Sequence, residues 1–298
     1  MTCWPSLVPY AKTLSLSGGD LFYYDTLANN GPNPQPPAIV LIHGLGDEAD
    51  TWRHVIPLLA DAGYRVIAPD LPGFGRSNWK SRISIQGHGK AIIRLITETG
   101  AASAEPAVLA GSSLGAGIAE LVACKRPDLA KALILIGGCF PVANNISWGL
   151  VLLGMPFIGK KWYRNFRSNH NAAWMSLYPY YSDLNGMSGA DKDFLRERVI
   201  ARVESSNQER GYFATLRSMN AYALFGVRTL ARKIKAYSGK IAVIWGEEDR
   251  VFHPQKAGIF RRLRPDAAFA LIAGAGHLPQ QEKPATTAKE MIRLMKEE

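Results

Sequence analysis

The stretch VLAGSSLGAG, Val108 to Gly117, carries an apolar strand-like run into the helix-like GIAELVACK. Inside it, Gly111-Ser112-Ser113-Leu114-Gly115 has the form G-x-S-x-G in the strand, turn, helix setting that a nucleophile elbow requires. The demand for glycine is steric. A sharp strand-to-helix turn forces its central residue into a strained conformation and leaves no room for side chains two positions to either side. Gly111 and Gly115 supply that room, which singles out Ser113, not Ser112, as the candidate nucleophile. Leu114 follows at a helix N-terminus, where its amide and the helix dipole favour developing negative charge.

Outward from this stretch, short apolar runs alternate with helix-like segments. Ala38–Ile42, Arg65–Ala68, Ala107–Ala110, Ala132–Ile136, Ile241–Trp245 and Phe269–Ile272 are the strand candidates. Each ends in a glycine, proline or polar residue, the pattern of strands buried on both faces of a parallel sheet, with ligand-binding loops at their carboxyl ends. An N-terminal hairpin is expected over about residues 12–26. The segment NNGPNPQPP, Asn29 to Pro37, reads as a linker. From Gly138 to about Tyr237 the alternation stops, and the chain becomes rich in Trp, Tyr, Arg and Met, with helical periodicity over Asp191–Ser205. The expected organisation is an α/β core of residues 1–138 and 238–298 with a helical cap, 139–237, inserted between two sheet strands.

Composition bounds the function. The chain has 298 residues, 47% of them hydrophobic, enough for a sizeable core. Lys and Arg number 35 against 25 Asp and Glu, a net charge of +10. The excess sits in the middle: residues 139–235 hold 14 Lys and Arg against 6 Asp and Glu, a net +8. No zinc-finger spacing, RNA-binding signature or Lys/Arg run accompanies it, so no nucleic-acid partner is expected. Cys3, Cys124 and Cys139 are too scattered for a disulfide framework or a metal site. With no evident signal peptide at the start, the expectation is a cytoplasmic chain. The apolar Ile146–Gly159 is interrupted by Gly149, Gly154 and Pro156 and is shorter than the roughly 20 residues a bilayer span needs; it reads as a buried or substrate-facing segment.

A second motif lies in AIVLIHGLGDEADTW, where a buried strand ends at His43-Gly44-Leu45-Gly46. Such a loop supplies the second oxyanion-hole amide, here that of Leu45, with Gly44 allowing close backbone approach and His43 bracing the loop. These segments, together with APDLPGFGRS at 68–77, IWGEEDRVF at 244–252 and GAGHLPQQEKP at 274–284, resemble the α/β-hydrolase superfamily in that family's chain order. The resemblance is to its capped branch, which includes carboxylesterases, meta-cleavage-product hydrolases, haloperoxidases, epoxide hydrolases and haloalkane dehalogenases.

The resemblance implies a mainly parallel sheet flanked by helices and a catalytic triad in the order Ser, Asp, His. Ser113 is then the nucleophile, Asp249 the orienting carboxylate and His277 the general base, with the amides of Leu45 and Leu114 as oxyanion hole and no metal or organic cofactor. Glu247, Glu248 and His253 are neighbouring decoys, and His54, His88 and His170 have no motif context. A serine in place of aspartate sets the chain apart from epoxide hydrolases and haloalkane dehalogenases. Leu278 after His277, where meta-cleavage-product hydrolases often carry Trp, and Leu114-Gly115-Ala116 after the nucleophile, where haloperoxidases often carry Met-Gly-Gly, leave hydrolysis of a carboxylic ester or lactone as the simplest reading. The alternatives are C–C bond hydrolysis and a non-turnover small-molecule receptor.

The aromatic insertion points to an apolar or aromatic ester, whose anionic end, if it has one, would be met by Arg164, Arg167 or Arg217. Trp148 and Trp162 beside Lys160 and Lys161 raise membrane-surface contact as a further reading. Oligomeric state is not legible.

Overall fold

Strand-forming runs of Ile, Val, Leu and Ala, each too short for a helix, build the centre of the molecule. The computed structural model describes residues 2–26, 37–140 and 148–296. Nine strands are found among them: β1 (Ala11–Leu16), β2 (Gly19–Asp25), β3 (Ile39–Ile42), β4 (Val66–Pro69), β5 (Asn78–Trp79), β6 (Ala107–Ser112), β7 (Ala130–Ile136), β8 (Lys240–Gly246) and β9 (Ala268–Ile272). They form one sheet in the order β1-β2-β4-β3-β6-β7-β8-β9, with β5 pairing β2. From β4 to β9 every pairing is parallel, while β1, β2 and β5 are joined antiparallel. The six expected parallel strands and the N-terminal hairpin are all present. The two-residue β5 carries too short a pattern to be read from sequence. Of the expected linker Asn29–Pro37, all but Pro37 lies outside the described residues, as do Ile146 and the side chain of Trp148.

The twelve helices among these residues are α1 (Val55–Asp61), α2 (Ile85–Glu98), α3 (Leu114–Lys125), α4 (Trp148–Gly154), α5 (Pro156–Ser168), α6 (His170–Met175), α7 (Gly189–Glu204), α8 (Ser206–Phe225), α9 (Val227–Ala236), α10 (Ala257–Leu263), α11 (Pro279–Glu282) and α12 (Pro284–Lys296). Successive strand side chains point to opposite faces, so each run feeds two cores. Val40, Ile42, Leu109, Leu133, Leu135, Val243 and Trp245 pack with α2, α3 and α9. Ile39, Leu41, Val108, Ala110, Ile134, Ile136 and Ile244 pack with α1 and α12 on the other side. Burial on both faces explains why the runs are continuously apolar rather than alternating.

Helices α4–α9 occupy the interval between β7 and β8, where no strand is found among the described residues. Within it, Tyr163, Phe166, Val199, Val203 and Phe213 form a small core of their own, and Trp174, Tyr181, Leu184 and Leu195 form another. Helix α9, inside the expected 139–237 insertion, turns Val227, Leu230 and Ile234 onto the main core beside α3. A helix with an i, i+3, i+7 apolar stripe presents the same pattern whether it packs on a sheet or on another helix.

A charged network joins the insertion to the loop after β3. Arg202 of α7 donates to Asp47 at 2.7 Å and to Glu48 at 2.9 Å, and Arg198 forks onto both oxygens of fully buried Glu48. Burial opposes ionisation of Glu48, but Arg202 and Arg198 together outweigh it and hold its carboxyl well below the usual range. Among the described residues no helix is long and apolar enough to cross a membrane.

Candidate active site

Four loops at the carboxyl ends of the parallel strands, those after β3, β6, β8 and β9, meet at one cavity of about 530 Å³. The first is the turn from β6 into α3. Ser113 there has φ +55° and ψ −115°, and it is the one described residue other than glycine with positive φ. The neighbouring glycines show why that turn closes. A Cβ at Gly111 would fall 2.2 Å from the backbone of Gly115, and one at Gly115 would fall 2.1 Å from the carbonyl oxygen of Ile42. The Ser113 amide donates to the Ile136 carbonyl at 2.8 Å, which pins the strained residue to β7. Leu114 is the first residue of α3, so its amide has no intrahelical acceptor.

Leu45 reaches the same cavity from the loop after β3, with Gly44 and Gly46. His43 is buried beneath that loop. Its Nδ1 is 2.8 Å from the Gly44 carbonyl and its Nε2 is 2.8 Å from the Leu71 amide. An amide can only donate, so Nε2 accepts and Nδ1 carries the proton. Burial lowers the pKa of His43, consistent with a neutral brace between two loops.

His277 and Asp249 come from the loops after β9 and β8. His277 Nδ1 lies 2.8 Å from Asp249 Oδ2, with both side chains buried. The other carboxylate oxygen, Oδ1, accepts the amides of Val251 and Phe252 at 2.8 Å each. The His277 amide donates to the Tyr180 carbonyl at 2.8 Å. Gly246 permits the crossing of the two loops, since a Cβ there would sit 1.9 Å from the Gly276 carbonyl oxygen. Ser113, His277, Leu45 and Leu114 all line the cavity.

The decoys lie elsewhere. Glu248 accepts the Ser182 hydroxyl, Glu247 is exposed, and His253 is exposed ahead of a short 3-10 turn. His54 pairs with Asp191, His170 with Glu204, and His88 is buried against Thr215. Ser112, one residue before the strained serine, is buried and receives a hydrogen bond from Gln280.

Most of the cavity wall is apolar and comes from the insertion: Trp162, Tyr163, Phe166, Leu177, Leu195, Val199 and Tyr212, with Phe140 and Phe252 below. Arg164, Arg167 and Arg217 do not line it. Arg167 is held by Glu209 and the Val203 carbonyl, and Arg164 is exposed on α5. The two cations that do reach the cavity are Arg202, already paired, and exposed Arg250.

Several supporting residues carry no local signal in the sequence. Glu282 accepts the amides of Gly276, Ser182 and Asp183 at 2.7, 2.7 and 3.1 Å, tying the His277 loop to the insertion. Glu120 of α3 is buried and accepts the Phe140 amide at 2.9 Å below the cavity. Gly276 is only six residues from Glu282, but Ser182 and Asp183 are about a hundred residues away and Phe140 is twenty from Glu120, separations that no short motif reports.

A family model described as alpha/beta hydrolase fold matches residues 37–284. Lipase 1 of Psychrobacter immobilis is 26% identical over 282 residues, covering 93% of this chain and 81% of the lipase. A thermophilic esterase from Thermogutta terrifontis has a TM-score of 0.73 at 20% identity, over 96% of this chain and 97% of the esterase. A meta-cleavage product hydrolase has a TM-score of 0.74 at 22% identity, over 96% of this chain and 98% of that chain. The two structural likenesses are of fold, and the match of the family model extends over most of the sequence. The chain belongs to the α/β-hydrolase fold family.

Proposed function

We propose that this hydrolase cleaves a carboxylic ester or lactone through an acyl-enzyme formed on Ser113. The observation that carries the reading is the strained Ser113 on a cavity shared with His277, whose Nδ1 is hydrogen-bonded to Asp249 at 2.8 Å.

Serine is a weak nucleophile until a base takes its proton. In this mechanism His277 Nε2 accepts the Ser113 Oγ proton as Oγ bonds to the ester carbonyl carbon. Asp249 keeps the Nδ1–H tautomer and stabilises the imidazolium. The amides of Leu45 and Leu114 donate to the carbonyl oxygen as it becomes an oxyanion, each worth about 3 kcal/mol of transition-state stabilisation. Collapse expels the alkoxide, which takes the proton from His277. Water activated by the same imidazole then attacks the acyl-enzyme, releases the acid and restores Ser113. The apolar cavity wall favours an apolar or aromatic acyl or alcohol portion, which gains about 25 cal/mol for each Å² of apolar surface it buries.

Hydrolysis of p-nitrophenyl esters of rising acyl length tests the proposal. Wild type is expected to turn over with a preference set by the cavity, and Ser113→Ala to lose at least about 10³-fold in kcat with unchanged folding. Equal turnover by the two proteins would contradict it.

A further inference from the structure

Helix α8 is two-sided. Gln208, Tyr212 and Met219 form one stripe, at i, i+4 and i+11, on the catalytic cavity. Arg210, Arg217 and Phe225 lie on another stripe, at i, i+7 and i+15, and wall a second groove of about 1010 Å³. Its facing wall is the segment from Lys80 into the first turn of α2, which contributes Lys80, Arg82, Ser84 and Gln86.

Among the described residues four cations line this groove, and no acidic residue does. Arg210 is fixed by the carbonyls of Trp79 and Lys80 and by Asn207 Oδ1, none of which cancels its charge. Lys80, Arg82 and Arg217 are exposed and have no ion pair among the described residues. Many arginines elsewhere are matched: Arg53 with Asp191, Arg65 with Asp25, Arg76 with Asp70, Arg167 with Glu209 and Arg264 with Asp266. Four uncompensated like charges on two facing walls repel one another and raise the local concentration of anions. Helix α2, 14 residues long, adds the positive end of its dipole.

The groove also has an apolar side. Phe225 is 85% exposed, and Tyr222 lines the groove with it. Charge spread over two walls exceeds what one carboxylate can match, whereas a phosphate group offers several acceptor oxygens to planar Arg forks.

We infer that this groove binds a phosphate-bearing molecule with an apolar or aromatic body, on the side of α8 away from the catalytic cavity. The phosphate lies among Lys80, Arg82, Arg210 and Arg217, and the apolar body lies against Tyr222 and Phe225. Such an occupant contacts both α8 and the segment before α2, and so ties the insertion to the core.

Calorimetric titration of the full chain with phenyl phosphate at low salt tests the site, alongside sedimentation with phosphatidylglycerol and phosphatidylcholine vesicles. The variants are the double replacement Arg82→Gln with Arg217→Gln, and Arg164→Gln as an exposed cation outside the groove. Saturable binding of phenyl phosphate by wild type is expected. The double variant should weaken it at least about tenfold, the scale of losing one charge-assisted hydrogen bond, while Arg164→Gln leaves it unchanged. Binding of phosphatidylglycerol vesicles alone, with the same dependence on the double variant, supports the site and identifies the phosphate as a lipid headgroup. No saturable binding of either probe, or equal weakening by Arg164→Gln, would overturn the inference. Ester hydrolysis plays no part in the readout, so failure here and failure of the acyl-enzyme proposal are distinguishable.

Discussion

The two oxygens of Asp249 do different work. Oδ1 accepts two main-chain amides, and Oδ2 faces His277 Nδ1. In Asp249→Asn, the pair of amides requires an oxygen at the Oδ1 position, so the new NH2 turns toward His277. It then donates to Nδ1, the ring proton moves to Nε2, and the imidazole can no longer accept from Ser113. The expected result is a fall in kcat on the order of 10⁴-fold at neutral pH with an unchanged melting temperature; steady-state kinetics beside a thermal melt checks both. Ser113 stands out as a candidate from the local pattern of Gly111 and Gly115, whereas Asp249 and His277 are reached only through the resemblance of the segments 244–252 and 274–284 to the α/β-hydrolase superfamily. The geometry that keeps them in register, such as the Tyr180 carbonyl under the His277 amide, is made by residues far apart in the chain.

At the scale of elements, the insertion is held to the core by burying charge as well as apolar surface. Arg198 of α7 is buried, and its guanidinium forks onto Glu48 after β3. Removing one partner of such a pair leaves the other in a medium that solvates it poorly. Arg198→Met removes that fork and leaves Glu48 with Arg202 alone, so it is expected to destabilise the protein by about 1.5–3 kcal/mol, less than the loss of a sole partner would cost, read as a lower urea midpoint. A change below about 0.5 kcal/mol would mean that the pair behaves as a surface contact. The parallel strands are readable because burial on both faces leaves a continuous apolar signature. The Glu48 to Arg198 pair is not, since its partners stand 150 residues apart and each looks like an ordinary surface charge. The same holds for α9, whose apolar stripe does not say which surface it meets.

Across the whole molecule, a buried acid and the distribution of basic charge set the response to solution conditions. Burial pushes the Glu120 carboxyl up to about 8, against the opposing pull of the Phe140 amide. The folded state thus holds a proton that the unfolded state gives up near the ordinary carboxylate value of about 4.3. Stability from this group is fully present below the unfolded value and is lost as pH rises through about 8. Between about pH 5 and about pH 9 wild type should lose melting temperature relative to Glu120→Gln, while the buried neutral His43 and His88 affect both proteins alike. Parallel slopes would show that the carboxyl is already ionised. Net charge is legible by counting, but its placement is not: the sequence concentrates Lys and Arg in 139–235, whereas the unmatched groove combines Arg210 and Arg217 with Lys80 and Arg82 from the core.

The most direct test of the central claim is reaction of wild type with a fluorophosphonate, followed by peptide mapping of the adduct. A single phosphonylated residue at Ser113, absent from Ser113→Ala and slowed in Asp249→Asn, is the predicted result. Labelling at another residue, or labelling that persists in Ser113→Ala, would contradict the account.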